Sequence, residues 1–164
     1  MSASAYYDGE ATRSSVVDRL KTDSSYQGYW ILRVGFAVAP ILFGLDKFTN
    51  FLVDWTQYLA PWVIGILPLS ASDAMRLVGV VEILAGVAVA VKPRYGAYVV
   101  AAWLGGIIVN LLTYPGYFDI ALRDFGLLLG ALSLARLASK FDPPGIEAWP
   151  SARAHLRSGD ATTR

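Results

Sequence analysis

The apolar residues of this 164-residue chain fall in four long blocks, about Tyr29–Phe48, Asp73–Val91, Tyr95–Leu112 and Phe118–Leu137. A helix needs ~20 consecutive, largely apolar residues to cross the hydrocarbon core of a bilayer, and each block reaches or approaches that length. Neither the alternation of a half-buried strand nor the narrow stripe of a soluble amphipathic helix describes them. In a chain that is 55% hydrophobic, the pattern predicts a multi-pass membrane protein of all-α class. The expected architecture is a four-transmembrane-helix bundle over 29–138, between polar tails at 1–28 and 139–164. What lies outside the bundle is too short and polar for a water-soluble catalytic domain, so any chemistry belongs in the bundle or in a partner. No short apolar core with a small-residue cleavage pattern precedes the first block, and no removable signal peptide is expected.

Composition removes several chemistries. There is no cysteine, which excludes disulfides, thiol relays and iron–sulfur ligation within the chain. The single histidine, His155, lies in the C-terminal tail, which excludes a histidine-built metal centre or a membrane bis-histidine haem. No metal site and no covalently bound cofactor are expected. A net charge of +1 gives no reason to propose nucleic acid as a partner.

Lysine and arginine are distributed unevenly. Arg13, Arg19, Lys21 and Arg33 precede or open the first block, Lys92 and Arg94 separate the second from the third, and Arg136, Lys140, Arg153, Arg157 and Arg164 close the chain. Lys47, Arg76 and Arg123 belong to the opposite side. The positive-inside rule then makes both termini and the Lys92–Arg94 turn cytoplasmic. Tyr29, Trp30, Tyr95 and Tyr98 read as anchors at the inner boundary, and Trp55, Tyr58, Trp62, Tyr114 and Tyr117 at the outer one.

The connection Thr49–Ser72 is too long for a tight turn and too apolar for an ordinary loop. Trp55, Tyr58, Leu59, Trp62 and Ile66 recur at near-helical spacing, which predicts a segment lying in the outer interface, with Pro61 opening a second short helix. It reads either as an anchor in the headgroups or as a lid, or partner-docking surface, formed by Trp55, Tyr58 and Trp62. Ser70 and Asp73 have capping-box spacing and start the second span. Small residues mark faces that can approach closely: Gly79, Gly86 and Ala90 beside Glu82, then Ala97, Ala101 and Gly105, then Gly126 and Gly130. The tails, 1–27 and beyond Asp142, carry no long apolar stripe and are expected to have little fixed structure without a partner.

Glu82 sits near the middle of the second block. An ionised acid at a membrane helix centre costs roughly 2.5–3.5 kcal/mol on insertion scales, so it must be paired, protonated or facing a wet cavity. Asp46 and Lys47 close the first block, Arg76 opens the second, Asn110 lies near the end of the third, and Arg123 and Asp124 lie early in the fourth. These polar groups gather in the outer half, where a mutually paired network is the economical arrangement. Neighbouring helical residues point about 100° apart, so one member of each of the pairs Asp46/Lys47 and Arg123/Asp124 is expected to face the headgroups. Two readings stay open. The network ties helix ends together, or it lines a cavity where Glu82 exchanges a proton or hydrogen-bonds a carbonyl of a small amphiphile such as a quinone or another lipid.

The same residues carry a family resemblance. Phe43-Gly44-Leu45-Asp46-Lys47-Phe48 resembles the Gly-x-x-Lys-Leu/Phe segment that ends the first helix of DoxX/DoxD-like membrane proteins. Gly79-Val-Val-Glu82-Ile-Leu-Ala-Gly86 is similar to their Gly-x-x-Glu-x-x-x-Gly pattern, and Arg123 to Gly130 fits a typical last helix. The resemblance covers roughly Trp30 to Leu137, while the aromatic connection and the tails depart from the family pattern. It implies a four-helix membrane protein in which Lys47 and Glu82 match the family positions, with Arg33 and Arg123 as further matches. It also implies membership of a respiratory or redox membrane complex, since DoxD-type proteins are membrane subunits of a thiosulfate:quinone oxidoreductase. The resulting expectation is an accessory or quinone-interacting subunit, embedded in the lipid bilayer beside a protein partner and not catalytic alone. A non-catalytic structural or assembly subunit and a small proton-coupled carrier are the alternatives.

Overall fold

The computed structural model describes residues 16–66 and 68–142, and within them the chain is helical with no strand. A short helix α1 covers residues 16–22. It is followed by α2 (Ser24–Thr49), a 3₁₀ turn at Trp55–Tyr58, α3 (Pro61–Ile66), α4 (Ala71–Val91), α5 (Pro93–Leu112) and α6 (Phe118–Phe141). Expectations for 1–15, Leu67 and 143–164, including Trp149 and His155, lie outside the described residues. Three of the helices, α2, α4 and α5, are long and apolar enough to cross a membrane. The fourth expected block is helical as α6, 24 residues long, but Asp119, Arg123, Asp124, Arg136 and Lys140 give it a more charged composition and it is not among those three.

Local chemistry explains where each helix starts and stops. Asp23 accepts from the amides of Ser25 and Tyr26, so α2 begins five residues before the apolar block and part of the expected N-terminal tail is helical. Asn50, in the left-handed conformation with φ 50°, ends α2 and returns its amide to the Asp46 carbonyl. Ser70 caps α4 through the Asp73 amide at 3.1 Å, and its hydroxyl donates to the Asp73 carboxylate at 2.7 Å. Lys92 alone separates α4 from α5, because Pro93 cannot continue α4 yet is suited to the first position of a new helix. Pro61 opens α3 in the same way.

The four long helices pack as an antiparallel ring, α2 on α4, α4 on α5, α5 on α6 and α6 back on α2. Glycine sets the closest approach. A Cβ on Gly44 would lie 2.6 Å from the Gly79 carbonyl oxygen, and one on Gly79 equally close to that of Gly44. Gly86 stands in the same relation to Ala37. Such backbone contact is how membrane helices gain packing energy where lipid tails already satisfy apolar side chains. On α6 the packed side is Ala121, Asp124, Ala131, Leu134, Ala135 and Ala138. The expected Gly126 and Gly130 stripe serves only at Gly130, where a Cβ would crowd the Phe36 ring of α2 at 3.1 Å; one on Gly126 would meet nothing within 4 Å. Ala90 likewise faces out of the bundle, its place on α4 being taken by the buried Val89.

At the Lys92 end, Tyr29 is not an interfacial anchor. It is 2% exposed and packs against Tyr26, Trp30 and Phe141. Arg33 donates to its hydroxyl at 2.8 Å and to the Ala90 carbonyl at 2.7 Å. One guanidinium therefore holds α2 against the last turn of α4, where free carbonyls and the helix dipole favour a cation.

Candidate functional site

The end of the bundle opposite Lys92 is built around the chain that follows α2. Helix α4 extends past α2: Gly79 lies against Gly44 and the Lys47 Cβ, eight positions into α4, or ~12 Å from its start. The space beyond the end of α2 is filled by the Trp55–Ile66 segment. Leu59 buries itself with Ala74 and Met75 of α4, and Trp55 and Val63 pack around them. Asn110 on α5 holds the backbone between the two short helices, accepting from the Ala60 amide at 3.0 Å and donating to the Tyr58 carbonyl at 2.7 Å. Trp62 donates to the Thr113 hydroxyl at 2.8 Å. A run of rings, Phe43, Trp55, Tyr58, Tyr117 and Tyr114, crosses the same end with centroids 5.1–5.9 Å apart. Outside the spans, the Thr56 hydroxyl and amide hold the Asp54 carboxyl below its usual range.

Beneath this segment the Lys47 ammonium meets the Glu82 carboxylate at 2.6 Å, with side chains 5% and 11% exposed. The ammonium also lies 3.8 Å from the centre of the Trp55 ring. A charge pair so far from water needs every favourable contact it can make, and the π face adds one. Asp124 is buried on α6, which packs on α2 and α5. Its hydrogen-bond partner among the described residues is Arg123 at 3.4 Å, whose own side chain is 67% exposed. The indole N–H of Trp103 on α5 is buried without a hydrogen-bond partner among the described residues, as is that of Trp30 at the Lys92 end.

Of the residues singled out in the sequence, Lys47, Glu82 and Asp124 come together, and Trp55 joins them. Arg123 lies at the rim. Asp46 and Lys47 are both buried, against the expectation that one would face the headgroups. The 100° between them is met by two different burials. Lys47 turns to α4, and Asp46 turns to the chain after α2, where it accepts from the Phe51 and Leu52 amides, the Thr49 hydroxyl and, at 2.7 Å, the Trp55 indole. Asp46 is thus the fastener of the Trp55 segment. Arg76 does not reach the site, pairing at the surface with Asp73 at 3.1 Å. Asn110 holds the segment instead of the charges, and Trp62 is half exposed. Trp103 was not singled out, although a tryptophan in the body of an apolar helix, away from either interface, was the available signal.

Comparison with protein-family models, with curated proteins and with solved structures finds no match.

Proposed function

We propose that this chain is a four-span membrane subunit of a respiratory or redox complex, with the Lys47–Glu82 pair as the contact point for the carbonyl head of a quinone-like amphiphile. The observation that carries the reading is the buried pair with a second buried carboxylate, Asp124. Together they offer donors and acceptors where an apolar bundle has no structural need for so many. The residues fit a carbonyl group: Lys47 can donate to its oxygen, and Glu82 can take or return a proton at its carboxylate. A bound quinone would supply the electron chemistry that no side chain here carries. The resemblance to DoxX/DoxD-like proteins points the same way, with a partner subunit as electron donor, α6 as the fourth span and both termini cytoplasmic in a prokaryotic inner membrane. The carrier alternative has less behind it, since α4 and α5 run unbroken past the site whereas carriers commonly use interrupted helices.

A second reading is supported by the closeness of the pair. With Glu82 at 2.6 Å and the centre of the Trp55 ring at 3.8 Å, Lys47 is already well satisfied, as a staple between α2, α4 and the Trp55 segment would be. Purification of the native complex in nanodiscs, with mass spectrometry of its lipids and proteins, separates the two. A quinone retained by wild type and lost from Glu82→Gln is the expected result. Stable protein partners and no quinone in either protein, with Glu82→Gln lowering thermal stability, would establish the staple instead.

A further inference from the structure

We infer that α1 is a membrane-surface element, its exposed apolar face lying on the anionic headgroups of the leaflet at the Lys92 end of the bundle. The pattern is within residues 16–22. At about 100° per residue, Val16, Leu20 and Val17 share one face of α1, Arg19 and Lys21 stand at its two edges, and Asp18 and Thr22 lie opposite. Val16, Val17 and Leu20 are exposed, so the bundle leaves this face open. Apolar residues flanked by cations, whose stems stay on the apolar side while their charges reach the headgroups, are the pattern of a helix lying in a membrane interface.

Position supplies the surface. Helix α2 is 26 residues long, more than the ~20 that the hydrocarbon core requires, which puts its first turn and α1 at headgroup depth. Asp23, extended at φ −105° and ψ 101°, interrupts the helix there. The Gln27 side-chain amide donates to the Leu20 carbonyl at 2.8 Å and ties the end of α1 to the start of α2. Three apolar side chains and two cations would hold a free peptide only weakly on a bilayer. One residue away from a helix long and apolar enough to cross the membrane, α1 meets that surface at high effective concentration.

Charge selects the headgroup. Arg19, Lys21, Lys92, Arg94, Arg136 and Lys140 crowd this end against Asp18, Asp23 and Asp142. The ion pairs among the described residues, Lys47–Glu82, Arg76–Asp73 and Arg123–Asp124, all lie at the other end, so these cations take no carboxylate partner within the described chain. A surface of anionic lipid supplies the countercharge, each cation near it contributing about fivefold to association. A zwitterionic surface does not.

The test uses the intact chain, which has no cysteine of its own, carrying a spin label on Leu20→Cys or on Thr22→Cys. The two are compared in nanodiscs of phosphatidylcholine mixed equally with phosphatidylglycerol and in discs of phosphatidylcholine alone. Collisions with oxygen report lipid, and collisions with a water-soluble nickel chelate report water. In the mixed discs the Leu20 label is expected to favour oxygen and the Thr22 label the chelate. Phosphatidylcholine alone, or Arg19→Gln with Lys21→Gln in the mixed discs, should shift the Leu20 label toward the chelate by about tenfold or more. The first of these arms keeps the native cations, so a folding defect in the double variant leaves the test standing. Equal access of the chelate to both labels in mixed discs would overturn the proposal. A Leu20 label sheltered equally in both kinds of disc would make the contact purely apolar, and spin–spin broadening between copies would put a second chain on this face; either result overturns it as well.

Discussion

The Lys47 ammonium and the Glu82 carboxylate are the residues whose energetics matter most. Removing one partner of a buried pair leaves the other charge uncompensated, at a typical cost of 3–5 kcal/mol. Lys47→Met should therefore lower stability by roughly that amount, whereas Lys47→Met combined with Glu82→Leu should recover most of it, because packed apolar side chains replace a buried pair at little cost. Reversible unfolding in mixed micelles, followed by circular dichroism, measures the cycle. A loss below about 1 kcal/mol for the single variant is what a hydrated, surface-like pair would give. Glycine provides the second residue-scale contrast. Gly44→Ala drives a methyl into the Gly79 carbonyl, while Gly35→Ala, still on α2, meets nothing within 4 Å. The first should cost about 1–3 kcal/mol by overpacking and the second should be neutral or slightly stabilising; equal effects in the same assay would show that α2 and α4 do not meet at Gly44.

At the scale of elements, the Trp55 segment is a strap fastened separately to α2, α4 and α5, through Asp46, the Leu59–Met75 contact, and Asn110 with Thr113. Because the chain has no cysteine, a single reporter can be placed at Ala60, which is fully buried. Ala60→Cys should react slowly with a maleimide, and adding Asn110→Ala should raise that rate by about tenfold, the worth of one buried polar contact. An unchanged rate would mean that the Leu59 packing alone holds the strap. Asp54 supplies a pH handle. Its carboxyl is held low in the folded strap by Thr56, so the charged form's contribution is present above the usual carboxylate range and is lost as pH falls through the depressed value. Amide exchange at Thr56 and Gln57 should accelerate over that acidic window, and Asp54→Asn should remove the dependence.

For the whole molecule, the ring of α2, α4, α5 and α6 is closed by α6, and with it Asp124 enters the bundle while Arg123 stays at its rim. If α6 crosses the membrane with the others, cysteines at Lys92 and Tyr114 should be labelled by impermeant reagents from opposite faces, and one at Asp142 from the same face as Lys92. Labelling of Asp142→Cys from the Tyr114 face would mean that α6 does not cross.

The local features of this protein were written in its sequence. The apolar blocks, the Ser70 cap, the Pro93 restart and the two short helices around Pro61 each depend on a few adjacent residues, and hydrophobic length, capping and proline geometry act at that range. So did the polar residues of the site, which stood out because a charge in an apolar run demands a partner. Which partner each would take was not legible. Lys47 reaches Glu82 because Gly44 and Gly79 let two backbones touch, and that contact sets the register between α2 and α4. Asp46 turns to the strap because α4 overhangs α2 and leaves a space for Trp55 to fill. Tyr29 is core because of how the ring of helices closes. Those outcomes depend on distances between residues far apart in the chain, and only the tertiary packing fixes them.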